Sequence, residues 1–386
     1  MNLVLSTLAG ASLALGLTAC FDADTSGEAA DPAPVANPVT TSVGSVANAP
    51  GLGQSLSAAA GGGGGGGGQG RAPRGGETFS ASDIDFRVTN PATGSSLAVY
   101  AELPSSSPPY KAIVVVPGGV KDASGVFSRD GMRQPILNSG VAIFRFDPDG
   151  RGQSGGSEDL GGKVQQAGLR EVIAQVIARD DVIDDQVGVF SNSMGIQMAS
   201  GALANGKTGA RFLIDYEGPS SRAYTAGCEG NQGMTRPPWP PGLDCGDDAY
   251  WGEREAQSHM ATVTVPYQRI QRAQDHVHGT DAGHAVALYQ AALDGPSPWV
   301  RLNTLESNLS VTKIQQAERP DVGFPTLYSW YADYINDMFV VIGGGKPPAH
   351  NHTMNDGQGG APPVRGQGGG GGGGGKGRKR GGGGRR

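Results

Sequence analysis

No apolar stretch of this 386-residue chain reaches the roughly 20 residues that a bilayer-spanning helix requires; the longest candidate, residues 3–17, falls short. Lys and Arg are missing from Met1-Asn2, where export signals normally carry positive charge. Cysteine is scarce, with three in the whole chain, and neither Cys228 nor Cys245 has a nearby Cys or His to complete a metal site. Apolar side chains are thin in two long tracts, residues 21–78 and 343–386, each containing an unbroken glycine run (61–68 and 368–375). Such composition builds no core. The basic C-terminal end contains no aromatic residues, which removes base stacking and with it the expectation of a nucleic-acid partner.

What is present at the N-terminus is a Leu- and Ala-rich segment followed by Leu17-Thr18-Ala19-Cys20. Residues 1–20 resemble a bacterial lipoprotein signal peptide with its lipobox. That resemblance implies cleavage before Cys20, acylation of its thiol, and a lipid-anchored protein of the bacterial cell envelope. Residues 21–78 then read as a flexible tether. A buried N-terminal helix is the other reading, and the lack of a polar face argues against it. The formal net charge is −6, yet Lys376, Arg378, Lys379, Arg380, Arg385 and Arg386 crowd one end, so an acidic body carries a basic tail. The tail is a solvated extension or a contact for anionic envelope polymers. With Cys20 assigned to lipid, Cys228 and Cys245 remain in a Pro/Gly-rich segment. A disulfide between them fits an oxidising compartment; two free buried thiols are the alternative.

The remainder, residues 79–342, reads as one domain. Residues 112–116 form a continuous β-branched run of the kind buried on both faces of a parallel sheet, ending in Pro117-Gly118-Gly119-Val120. A second run, 141–146, opens into Asp147-Pro148-Asp149-Gly150, and helical patterns cover about 129–138 and 164–179. A third run, 187–190, turns at Ser191-Asn192-Ser193-Met194-Gly195 into the helix-compatible residues 196–203. This alternation predicts an α/β fold with a doubly wound, mostly parallel sheet. Ser193 stands at the corner of a nucleophile elbow, with the helix N-terminus beneath it and the Met194 N–H aimed at a developing oxyanion. Ser191 replaces the usual first glycine with another small residue.

Residues 111–204 together resemble the α/β-hydrolase superfamily, nearest to its dienelactone-hydrolase and peptidase-type esterase branch. The resemblance implies a second oxyanion donor from Gly119 or Val120, and a cap formed by the insertion at about 219–262. Trp239, Tyr250 and Trp251 would line a substrate site there or pack the insertion onto the body. It also implies a triad acid just after the strand at 263–271, which maps to Asp275; a simple cap on the helix beginning near Asp281 is the other reading of that residue. The catalytic histidine of this family follows the last strand, here residues 299–303, and Thr304-Leu305-Glu306-Ser307-Asn308 contain none. The base therefore falls to His284 ahead of His276, both close to Asp275. His259 reads as a cap residue. His350 and His352 fall beyond the last helix (326–339) in a Gly/Pro-rich run, which argues against a fixed position.

The run 276–284 contains three histidines, but their spacing departs from that of metal-binding hydrolase motifs, so no metal is assigned. Residues 147–150 resemble the start of a calcium loop without its bidentate Glu and read better as a turn. The reading that follows is an envelope serine hydrolase, with no cofactor required, cleaving a small-molecule ester through Ser193. A hydrolase-fold binding protein without catalysis, and a metal-dependent hydrolase using His276, His278 and His284, are the alternatives.

Overall fold

The apolar runs become the centre of a sheet in the computed structural model, which describes residues 78–225, 228, 245–350 and 352. These all belong to one unit, Arg71–Arg386. The signal segment with Cys20, nearly all of the tether, Trp239 and the basic tail lie outside the described residues.

Eight strands are present among the described residues: β1 (Phe86–Thr89), β2 (Ser96–Glu102), β3 (Tyr110–Val116), β4 (Val141–Phe146), β5 (Val182–Asn192), β6 (Leu213–Tyr216), β7 (Tyr267–Ile270) and β8 (Val300–Leu302). Their order is β1-β2-β4-β3-β5-β6-β7-β8. Only β1–β2 and β2–β4 pair antiparallel; the other five pairings are parallel. Helices α1 (Asp130–Asn138), α2 (Lys163–Ile177), α3 (Gly195–Ala204), α4 (Asp248–Gly252), α5 (Ala256–Met260), α6 (Gly283–Asp294), α7 (Val311–Gln316) and α8 (Phe324–Ile342) occupy the connections. The expected doubly wound, mostly parallel α/β sheet is therefore the architecture.

Period-two alternation divides the core. Ala112, Val114 and Val116 of β3 join Phe144 of β4, Val189 of β5 and Leu213 of β6 under α2, α3 and α6. Ile113 and Val115, with Ile143, Phe190 and Ile214, pack on the opposite side against α1 and α8. Because both faces are covered, these strands read as unbroken apolar runs. Each buried aliphatic side chain contributes roughly 2 kcal/mol.

Strand β7 is shorter than the predicted 263–271, since its pairing begins only after Pro266, which has no N–H to give to a ladder. Helix α8 is longer than 326–339, with Pro325 in its first turn and Gly343 at its end. Asp147 and Asp149, after β4, spend their oxygens on loop donors: Asp147 accepts from Ala123 N–H, Gln153 N–H and Tyr100 Oη, and Asp149 from Asn90, Thr93 and Ser95. They hold a turn.

The parallel strands all present their carboxyl ends to one side. Ligands in open α/β sheets gather there, at the place where successive connections diverge to opposite faces. Gly118, Ser193, Glu217, His276 and Asn303 follow the ends of β3, β5, β6, β7 and β8 in turn.

Candidate active site

Strand β5 ends at Asn192, and Ser193 takes a left-handed backbone, φ 51°, before α3 begins at Gly195. A non-glycine residue in that region is strained, and here neighbouring chain holds it: Ser193 N–H donates to the Tyr216 carbonyl at 2.8 Å, and its own carbonyl accepts from Ile196 N–H at 3.1 Å. A Cβ at Gly195 would sit 2.9 Å from the carbonyl oxygens of Val116 and Pro117, and one at Gly118 would sit 2.5 Å from that of Asn192. Those glycines let α3 and the β3 loop close on the elbow. Ser191 is tolerated at the first motif position because its buried hydroxyl finds acceptors on β6, the Ile214 carbonyl and Asp215 Oδ1, each at 3.3 Å.

The Ser193 hydroxyl lies 2.9 Å from Nε2 of His276. On the far side of that ring, Nδ1 lies 2.6 Å from Oε2 of Glu217. An ionised Glu217 fixes the proton on Nδ1, leaving Nε2 as the acceptor for the serine hydroxyl. Glu217 is buried and, like Ser193, has a positive φ, 48°. Its carboxylate also accepts from Arg272 Nε at 2.9 Å, Arg272 Nη2 at 3.2 Å, and the backbone N–H groups of Arg272 and His276 at 3.2 Å. Tyr216 stacks nearly parallel to the His276 ring, with centroids 5.9 Å apart.

These contacts shift both titrations. Burial alone would raise the Glu217 carboxyl, but the His276 hydrogen bond and the positive charges of His276 and Arg272 hold it below its ordinary value. Burial works against charging His276 too, and the hydrogen bond and charge of Glu217, with Asp275 nearby, outweigh it and raise the imidazole pKa.

Asp275 is not the carboxylate on the histidine. It directly precedes His276, and its side chain turns back to cap the loop: Oδ1 accepts from the N–H groups of Val277 at 2.7 Å and His278 at 2.9 Å. Its Oδ2 accepts from Gln271 Nε2 at 2.9 Å and faces His284 Nε2 at 3.3 Å, while His276 Nδ1 is 3.8 Å from Oδ1. Burial opposes its charge, but His284, His276 and Gln271 drive its pKa far below the carboxylate range. His284, the favoured base in the sequence, does not meet Ser193. It is fully buried at the start of α6, with Nδ1 2.9 Å from the Gly218 carbonyl oxygen. Its side chain joins the buried Asp215–Arg269 ion pair through Arg269 Nη2 at 3.0 Å.

After β8, where the resemblance calls for a histidine, stands Asn303, φ 49°. Its side chain clamps the end of β7, accepting from Gln271 N–H and donating to the Gln271 carbonyl, each at 2.9 Å. The carboxylate and imidazole in line with Ser193 thus follow β6 and β7, each one strand earlier than the resemblance implies, and the chain order of serine, carboxylate and histidine is kept. Glu217 was missed in the sequence. The available signal was a carboxylate ending a strand, before Gly218-Pro219, between the serine and the histidines.

Ser193, Glu217 and His276 open onto a cavity of about 620 Å³. Gly118, Gly119, Val120 and Met194 form the wall beside the serine, and Pro219, Tyr224, Thr225, Val277 and His278 form part of the rest. The insertion after β6 therefore reaches the cavity through its first residues. Tyr250 instead stacks under the Arg254 guanidinium at 3.9 Å, Arg254 bonds Asp159, and Trp251 is buried. That aromatic pair packs the insertion. Cys228 and Cys245 are joined by a disulfide. His259 lies in α5 against Ser200 of α3, 3.3 Å apart.

Three donor groups could hold a metal ion among the described residues. His276 is committed to Ser193 and Glu217, so the three-histidine set is not assembled. In its place Asp275, His278 and His284 converge, with the two imidazole rings 4.5 Å apart. Burial and the positive charge of His284 push the His278 pKa down to about 4. The other two groups are Glu217, Asp275 and His276, and Asp333, His350 and His352.

No protein-family model matches the chain, and no curated protein matches it in sequence. Among solved structures it is similar to 2,6-dihydroxy-pseudo-oxynicotine hydrolase, with 16% identity over 71% of this chain and 72% of that one, TM-score 0.45. It is also similar to Est1E from Butyrivibrio proteoclasticus, solved with ferulic acid bound (19%, 56% and 88%, TM-score 0.42). The Pyrococcus furiosus esterase Pf2001 is a third (14%, 70% and 97%, TM-score 0.47). Likenesses this coarse concern architecture, and the fold class stands on the strand order and pairings themselves.

Proposed function

We propose that this protein is a serine hydrolase that cleaves a small carboxylic ester through an acyl-enzyme. What carries the reading is the unbroken line from Ser193 Oγ to His276 Nε2, 2.9 Å, and from His276 Nδ1 to Glu217, 2.6 Å, at the mouth of a cavity. In this mechanism His276 takes the serine proton as Ser193 attacks the acyl carbon. Glu217 holds the ring in the required tautomer and stabilises the imidazolium. The N–H groups of Met194 and Gly119, or Val120, bind the tetrahedral oxyanion, worth on the order of 3 kcal/mol per donor. His276 then returns the proton to the leaving alcohol, and a water repeats the sequence to release the acid. The raised pKa of His276 suits both halves, since a base that keeps its proton readily is also an acid near neutral pH.

The absence of a histidine after β8 would favour a non-catalytic binding protein; the His276 imidazole beside Ser193 supports the enzyme instead. Localisation belongs to the same proposal: a lipid on Cys20 would anchor the enzyme in the bacterial envelope, a compartment in which the Cys228–Cys245 disulfide persists. Hydrolysis of p-nitrophenyl acetate and butyrate by the purified protein tests the activity. Turnover should fall by roughly 10⁴-fold or more in Ser193→Ala and be insensitive to chelators. Chelator-sensitive turnover that survives Ser193→Ala would instead assign the chemistry to a metal.

A further inference from the structure

The C-terminal histidines do have a fixed place. Helix α8 carries Asp333 and Asp337 one turn apart, on the same face. Residues 343–350 leave the helix so that His350 and His352 lie against that face. Nε2 of His350 is 2.8 and 2.9 Å from the two oxygens of Asp337, which Arg301 Nη2 also holds at 2.6 Å. Nε2 of His352 is 2.9 Å from Oδ2 of Asp333, and its ring stacks flat on Trp330, centroids 4.2 Å apart. The His350 and His352 rings lie 5.1 Å apart and nearly parallel.

From this arrangement we infer a divalent transition-metal site, fitted best by Zn²⁺, with His350 Nδ1, His352 Nε2 and Asp333 Oδ2 as its protein ligands. The decisive feature is His350. In the neutral tautomer whose Nε2–H donates to Asp337, Nδ1 is left as an acceptor 3.7 Å from the Asp333 carboxylate. A cation between those two acceptors would satisfy both. Asp337 is the outer carboxylate that orients a metal-bound imidazole by taking its other N–H, and Arg301 keeps it in place. Bonds of about 2.0–2.1 Å in a tetrahedron separate ligand atoms by roughly 3.3 Å. The observed 2.9 and 3.7 Å bracket that separation. Asp333 is 44% exposed, leaving a side open for water as fourth ligand, whereas both imidazole side chains are largely buried. Imidazole and carboxylate donors suit zinc over magnesium or calcium. Bound metal would clip the segment after α8 to the helix, because ligands on both sides of Gly343 share one ion.

The test is calorimetric titration of ZnCl₂ into the untagged full chain, stripped with chelator, together with thermal unfolding. One equivalent should bind and raise the melting temperature. His350→Ala and His352→Ala should each weaken binding by about 100-fold, and Asp337→Asn by about 10–100-fold, with p-nitrophenyl ester turnover as a check that each variant is folded. If a histidine variant does not fold, Asp333→Asn, on the exposed side, removes a ligand in its place and should weaken binding in the same way. Absence of zinc binding overturns the site. So does binding that survives both histidine substitutions, including binding lost only in His278→Ala, which would put the ion on Asp275, His278 and His284.

Discussion

Glu217 meets Nδ1 of His276 at 2.6 Å although the two residues stand at the ends of different strands, β6 and β7. Parallel pairing of Asp215 with Arg269 and Tyr216 with Ile270 sets the two exits side by side. The left-handed turn at Glu217 and the Asp275–Gly279 bridge then bring acid and imidazole together. Asp275, one residue from the histidine, is held by the loop backbone at 2.7 and 2.9 Å, and its Oδ1 stays 3.8 Å from His276 Nδ1.

Two neutralising substitutions separate these carboxylates. Glu217→Gln should lower kcat/KM for a p-nitrophenyl ester by roughly 10²–10⁴-fold with little change in KM, since the imidazole loses its orienting anion. Asp275→Asn, assayed where it is folded, should lose at least an order of magnitude less. A larger loss in Asp275→Asn would restore Asp275 as the acid.

The pH profile follows from the sign of the His276 shift. The base works only when neutral, so kcat/KM should climb with pH, with its midpoint above the ordinary 6.5 of an imidazole because Glu217 favours the charged ring. Removing that charge in Glu217→Gln leaves burial dominant, and the midpoint of the residual activity should move to lower pH. An unchanged midpoint would mean that Glu217 does not act on His276.

Asp275 should matter more for stability than for rate. Its folded pKa is depressed, so its contribution is present above the unfolded value of 3.8 and is lost as pH falls through the folded value. Asp275→Asn keeps an acceptor for the loop N–H groups but turns an amide NH2 toward Gln271 Nε2 and His284, and should cost about 3 kcal/mol in urea unfolding at pH 7. The difference from wild type should shrink progressively below pH 3.8. A constant difference across that range would show that the loss is steric and not electrostatic.

Asn303 is expected to behave as a clamp. Asn303→Ala leaves both the Gln271 N–H and its carbonyl without their buried partner, at a cost of about 2 kcal/mol in unfolding. Because Gln271 also donates to Asp275, the loop carrying His276 should loosen, and hydrogen exchange at residues 275–279 should rise. Unchanged exchange there would separate the clamp from the histidine loop.

Much of the framework is legible in the residues themselves. Strands buried on both faces, such as β3 and β4, are unbroken apolar runs, and the elbow is marked by the small residues that its crowding demands, Ser191 and Gly195. The edge strand β1 and its neighbour β2 are not legible in the same way, because Arg87 and Thr89 in the one and Ser96 and Glu102 in the other dilute their apolar pattern. The pairing of Glu217 with His276 depends on lateral register, which one sequence does not display. Glu217 and His276 are 59 positions apart, whereas Asp275 and His276 are adjacent, and the N–H groups of the turn between them and Gly279 claim the Asp275 oxygen. His350 and His352 looked unplaced because glycine and proline surround them, yet Asp333 and Asp337 one helix earlier supply their partners.

The most direct measurement is the rate of labelling by a fluorophosphonate, which requires an activated serine but no knowledge of the natural substrate. Wild type should be labelled on the peptide containing Ser193, and Ser193→Ala should not be labelled. His276→Ala should react at least 100-fold more slowly, and folded His284→Gln within a few-fold of wild type. If wild type labels no faster than Ser193→Ala, or if His276→Ala labels at the wild-type rate, the Ser193–His276–Glu217 assignment is wrong.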